Sequence, residues 1–350
     1  MKTSNNFIHR RLLYLTTALL LFCFVLDEAA GKEVKKVGTS AAAFLRIPVG
    51  ARGAALGGAV VSTVNDPSAM FWNPGGLARQ SKYSLMVDHS PWLPGLDFNY
   101  VGLVIPASSF GTIGINITSL STQEMDITTP ANPEGTGETF DASFTAVGVS
   151  YSRHLTESFS IGGTFKYINE RIYNSNATGF AFDIGTIYDT PYEGVRLGFS
   201  ISNIGTKMRM MGEDLNVRVD IAPTTKGNNQ SIVGQLKTDE FDMPLIMRVG
   251  LSWDIINSGK NRLTAGVDGI NPNDNAQSVN AGAEYALFNE MFVLRAGYTD
   301  LFLKDSQKGL ALGAGFNTKI AGSLGLGAEY AFQEFEYLGN VNRFTLTLTF

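Results

Sequence analysis

The stretch Val341 to Phe350 reads Val-Asn-Arg-Phe-Thr-Leu-Thr-Leu-Thr-Phe, and from Arg343 onward polar and apolar residues alternate without a break. Phe344, Leu346, Leu348 and Phe350 fall on one face of an extended strand; Arg343, Thr345, Thr347 and Thr349 fall on the other. Terminal residues of soluble proteins usually fray, so a chain that runs to an aromatic in mid-strand is unexpected there. A closed membrane barrel has a use for such a strand, because its last strand pairs with its first and leaves no edge. The competing expectation is the terminal strand of an ordinary soluble sheet.

Similar segments recur from about Lys82 onward. Val195, Leu197, Phe199 and Ile201 alternate with Arg196, Gly198, Ser200 and Ser202, and Leu245 to Trp253 repeats the arrangement around Arg248, Gly250 and Ser252. The alternation predicts an all-β fold, an antiparallel transmembrane β-barrel of about fourteen strands, each roughly 9 to 17 residues long and able to cross a bilayer at a tilt. Every second connection is short: 107–111, 154–158, 190–194, 257–261, 288–291 and 321–323. The intervening ones tend to be longer and more polar, notably 122–138 and 208–244. Short turns on one side and long loops on the other mark outer-membrane barrels, and a soluble sandwich has no reason to obey such a rule. An even strand number sets both barrel ends on the periplasmic side. No later segment has the roughly 20 apolar residues of a membrane helix.

With 38 glycines in 350 residues and only 17% charged residues, the composition suits an apolar outer face around a small-residue lumen. A formal charge of −5 without a basic run gives no expectation of nucleic acid binding. The inward face carries Lys166, Asp183, Arg196, Arg248, Asp268, Glu284, Arg295 and Glu329. Neighbouring strands are expected to pair Arg248 with Asp268 and Glu284 with Arg295, as structural ion pairs in a filled lumen; a polar channel is the other reading.

The N-terminus has the pattern of a secretory signal peptide: Lys2, Arg10 and Arg11, an apolar run from Leu12 to Leu26, then small residues Ala29 and Gly31. Cleavage is expected after Gly31, which divides the chain into a signal over 1–31, a hatch or plug over 32–81 and the barrel over 82–350. The only cysteine, Cys23, leaves with the signal, so thiol chemistry is not expected. Residues 32–81 do not look like strands. Thr39 to Ile47 is Ala-rich and helix-compatible, Gly50 to Gly58 is rich in small residues, and Asp66-Pro67 is a helix start that Asn73-Pro74-Gly75-Gly76 would end. A hatch with helical pieces, packed inside or beneath the barrel, is expected.

Two blocks of this segment, Val37 to Ala59 and Asn65-Asp-Pro-Ser-Ala-Met-Phe-Trp-Asn-Pro-Gly-Gly-Leu-Ala78, resemble the N-terminal stretch of the PorV/PorQ family of outer-membrane proteins. The terminal strand resembles the assembly signal of bacterial outer-membrane barrels, with Phe344, Leu346, Leu348 and Phe350 as its apolar positions, which implies the barrel assembly machinery and outer-membrane lipid as partners. The family is similar to FadL-type channels, whose N-terminal hatch carries an Asn-Pro-Ala motif; here Asn73-Pro74-Gly75 stands at that place. The resemblance implies an outer-membrane component of a type IX-like secretion system that binds the C-terminal signal domains of secreted proteins. The long loop 208–244, helped by 122–138, is expected to be its working surface. PorQ-like surface attachment and FadL-like uptake of hydrophobic compounds remain alternatives; uptake would use Phe44, Leu45, Met70, Phe71 and Trp72. Neither a cofactor nor a metal site is expected, and an enzyme is not expected: only His89 and His154 follow the signal, and no Gly-x-Ser-x-Gly elbow occurs. Asn271 to Asn275 reads as a polar loop tip rather than a calcium loop.

Overall fold

The computed structural model describes residues 38–350, apart from 223, 225–230, 305 and 337–338. The expected signal over 1–31 and the first residues of the expected hatch lie outside the described residues. Fourteen long strands form one closed antiparallel barrel. They are β1 Ser84–Leu93, β2 Leu96–Pro106, β3 Thr112–Thr122, β4 Ala142–Thr156, β5 Phe159–Ile172, β6 Ser175–Asp189 and β7 Val195–Gly205, then β8 Ile246–Asn257, β9 Arg262–Pro272, β10 Ser278–Leu287, β11 Phe292–Leu301, β12 Lys308–Ala321, β13 Leu324–Phe335 and β14 Gly339–Thr349. Each strand pairs with its neighbours in sequence, and β1 pairs with β14 in a register that runs from Ser84↔Thr349 to His89↔Phe344.

The period-two pattern is the cause of this closure. Along β14, Phe344 and Leu346 are exposed, as is Phe350 just beyond it, while Arg343 and Thr345 are buried, so a one-residue slip would send an arginine into lipid. Aromatic pairs ring the barrel at the end with the short turns: Tyr83 stacks on Phe350 at 5.6 Å, Phe110 meets Tyr151 at 5.2 Å and Phe292 meets Phe316 at 5.3 Å. Such a girdle sits at a membrane interface, where amphipathic rings bridge oil and water.

The loop asymmetry is narrower than the sequence suggests. At the end opposite the short turns, β1–β2 and β5–β6 are joined by two-residue turns, Pro94-Gly95 and Tyr173-Asn174, with Gly95 and Tyr173 at φ of 77° and 51°. Two connections carry most of the length: 123–141 between β3 and β4, and 206–245 between β7 and β8.

Residues 38–81 pack on the inner wall. Four short helical pieces, Ala43–Arg46, Ala51–Ala55, Ala69–Trp72 and Pro74–Arg79, interrupt otherwise irregular backbone. The Ala-rich stretch gives only one turn, because Ala42 lies at φ 49° just before it. Asp66 does not cap a long helix; its carboxylate accepts the Ser68 N–H at 2.8 Å, and the helix runs from Ala69 for one turn to an extended Asn73, as the following proline demands. Close approach explains the glycines here: a Cβ on Gly57 would lie 2.7 Å from the backbone of Tyr298 on β11.

Candidate functional site

Asn73, Pro74 and Gly75 sit together against the wall at β5 and β6. Asn73 is fully buried; its side-chain amide donates to the Val61 carbonyl at 2.7 Å and to the Thr186 carbonyl of β6 at 2.9 Å, and its oxygen accepts the Gly75 N–H at 3.1 Å. Every polar atom of that side chain is thereby used, as burial requires. Wall glycines make the seat: a Cβ on Gly185 would collide with Asn73, and one on Gly162 with Pro74. The turn at this motif is thus built into the wall.

Further up the lumen, Phe44, Leu45, Met70, Phe71 and Trp72 are all buried and belong to one apolar cluster. Phe44 stacks on Phe144 of β4 at 6.1 Å, Phe71 meets Trp72 edge-on at 4.9 Å, and the Trp72 indole donates to the Val49 carbonyl at 2.9 Å.

The lumenal charges form networks that join plug to wall. Glu284 accepts Arg295 at 2.8 Å, Arg262 at 2.9 Å and the plug's Arg52 at 3.0 Å. Arg295 also reaches Glu329 at 2.8 Å. Burial disfavours the charge on Arg52, yet Glu284 and Asp66 hold its pKa above the ordinary arginine value, so it stays a cation. Arg248 and Asp268, in contrast, make no ion pair. Arg248 donates to Ser202 at 3.1 Å and lies under the rings of Phe71 and Trp72, while the Asp268 carboxylate accepts the Val61 N–H at 2.9 Å. The two strands are adjacent, but Arg248 stands opposite Ile270, two residues from Asp268, and the plug backbone takes the carboxylate first.

Two plug contacts escaped the sequence reading. At the seam of first and last strands, Asp88 of β1 accepts Arg343 at 2.7 Å, Thr345 at 2.6 Å and the plug's Gly50 N–H at 3.1 Å, while the Thr345 hydroxyl accepts the Ala51 N–H at 2.7 Å. Alternation places Arg343 inward, but nothing in the sequence names its partner. At the loop end, Asp274 receives both Arg46 at 2.8 Å and Ser40 at 2.7 Å, which engages the one carboxylate within 271–275.

The connection 206–245 is an ordered ribbon at its base. Met208 and Phe241 exchange backbone hydrogen bonds of 3.0 and 2.9 Å, Leu236 donates to Leu215, and Asn216–Val219 pairs with Ile232–Gln235. Met211 and Gly212 add to the start of β6, and Asp214 accepts both the Asn174 N–H and the Ser175 hydroxyl at 3.0 Å. Val219, Val233, Leu236 and Phe241 are exposed on it.

The sequence profile of the family described as type IX secretion system protein PorV matches residues 30–271. No curated protein matches the chain. Among solved structures it is similar to the toluene transporter TodX of Pseudomonas putida, with a TM-score of 0.54 and 12% identity over 86% of this chain and 97% of that one. The toluene transporter TbuX of Ralstonia pickettii gives 0.53 and 12% over 86% and 97%, and a FadL homologue of Pseudomonas aeruginosa gives 0.50 and 14% over 87% and 98%. At these identities the likeness establishes the fold: an outer-membrane barrel of the FadL type.

Proposed function

Because this chain belongs to the family of the type IX secretion system protein PorV, we propose that it binds proteins exported through that system at the loop end of its barrel. The observation that carries this reading is the ribbon of 206–245, anchored to β6 through Asp214 and presenting short strands with exposed apolar side chains. An extended segment of a cargo's C-terminal signal domain would add to an edge of that ribbon, with main-chain hydrogen bonds for affinity and Val219, Val233 and Leu236 for contact. In this reading the loop end faces the cell exterior, residues 1–31 direct export, and the apolar face of β14 engages the assembly machinery.

The test is an affinity pull-down of the intact membrane protein beside a version lacking 208–244 and a Val219→Asp, Val233→Asp variant. Exported proteins retained by the intact barrel, and retained at least about tenfold less by both variants, support the reading. Co-purified lipid or fatty acid with no protein partner lost overturns it.

That outcome would favour the second reading, a channel for hydrophobic compounds, which draws on the fold shared with the toluene transporters. The buried packing of Phe44, Met70, Phe71 and Trp72 in the lumen weighs against it.

A further inference from the structure

Between Phe241 and Leu245 the returning limb of the 206–245 connection forms no strand, yet its carbonyls are taken one after another. Phe241 accepts from Met208 of the outgoing limb at 3.0 Å, and Asp242 accepts the Ala41 N–H of the plug at 2.9 Å. The Met243 and Pro244 carbonyls accept the side-chain amides of Asn273 and Asn203, each at 3.0 Å, and Leu245 accepts the Asn273 N–H at 3.0 Å. Irregular backbone keeps a single course when its polar groups are engaged in this way. The wall at β7, the turn between β9 and β10, and the plug all hold this limb.

Asn203 is fixed by its own bonds. It lies at φ 64°, a left-handed geometry that asparagine tolerates; its N–H donates to Asp183 at 2.7 Å and its side-chain oxygen accepts Lys166 at 2.9 Å, which aims the remaining amide at Pro244. Met208 and Met243 are buried over Gly179 of β6, where an added Cβ would lie 2.7 and 2.6 Å from them. Both belong to the apolar cluster that holds Phe44 and Leu45 of the plug. The turn serves both sides. Asn273 takes the ribbon, while the next residue, Asp274, takes the plug through Ser40 and Arg46. Adjacent residues of one turn thus set ribbon and plug side by side, and Ala41, between those two plug residues in sequence, reaches Asp242 directly.

We infer that residues 40–46 of the plug are the positioning element of the ribbon, so that the surface assigned above to exported proteins is in place only while the plug is seated. Its functional meaning rests on the cargo-binding reading; the coupling itself is measurable without cargo. By linkage, a protein that binds the positioned ribbon holds the plug in its seat by the same factor.

Two substitutions act on the bond between plug and turn rather than on a ribbon bond: Asp274→Ala from the turn and Arg46→Gln from the plug. The intact chain and each variant, purified in phosphatidylcholine nanodiscs, are compared by amide hydrogen exchange. Exchange at 206–212 and 236–245 should quicken at least about tenfold in both variants, with β1 and β14 unchanged. Unchanged exchange at the ribbon would mean that Asn203 and Asn273 hold it alone. Faster exchange in Asp274→Ala only would trace the effect to the turn, and acceleration spread equally over β1 and β14 would trace it to the barrel; each of these three results overturns the inference. Retention of exported proteins by the same variants separates the two readings. Retention that falls as the ribbon loosens supports both, whereas a loosened ribbon with retention intact overturns cargo binding there and still supports the coupling.

Discussion

Asp88 and Arg343 are nearly completely buried and joined at 2.7 Å. Their value lies in what removal of one would leave behind. Asp88→Asn strands a buried guanidinium and should cost about 3–5 kcal/mol, read as a lower urea midpoint for the folded barrel in detergent micelles. Arg343 also lies over Trp92 and Phe98, so Arg343→Met keeps some of the packing. The double variant should therefore be more stable than Asp88→Asn alone. If the two losses simply add, the pair is not coupled and this account of the seam fails. Asn73 makes a second case at this scale: Asn73→Ala abandons the Val61 and Thr186 carbonyls in a buried site, with an expected loss of about 1–3 kcal/mol in the same measurement.

Among elements, the plug and the wall were built to different rules. Strand positions were legible because period two is enforced by lipid outside and small or polar residues inside, so Val195 to Ser202 and Leu245 to Trp253 could be sorted by face from the sequence. The plug was legible only as something other than a strand. Its helices are single turns fixed by contact with the wall, and tertiary packing overrides propensity in pieces this short. The lumenal pairs show the same limit. Glu284 with Arg295 are direct cross-strand neighbours, which alternation and strand order suffice to suggest; Asp268 binds a plug amide, which no strand pattern can reveal. Gly185→Val tests the fit of plug to wall. The added side chain takes the place of Asn73, so residues 38–81 should become protease-sensitive while the barrel still shifts between unheated and boiled samples on a gel. A plug that stays protected would show that the Asn73-Pro74-Gly75 seat is dispensable.

At the scale of the whole molecule, the barrel's faces divide its tasks. Phe71, Trp72 and their neighbours pack inside the barrel, while the exposed apolar side chains of 206–245 lie at one rim. The family and the barrel were both within reach of the sequence, the first through residues 37–78 and the second through strand alternation and turn placement.

The seam gives the chain a calendar. Residues 50 and 51 donate to groups on the first and last strands, across sequence separations of 38 and 294 residues, and Thr345 reaches back 257 residues to Asp88. Contacts so distant return nothing until nearly all of the chain is in place, which makes folding slow and leaves unpaired edges waiting. The last rung cannot close well around an empty centre, since Asp88 and Thr345 would then be left short of partners. The N-terminal segment, made first, is a guest that must already be seated when the door shuts.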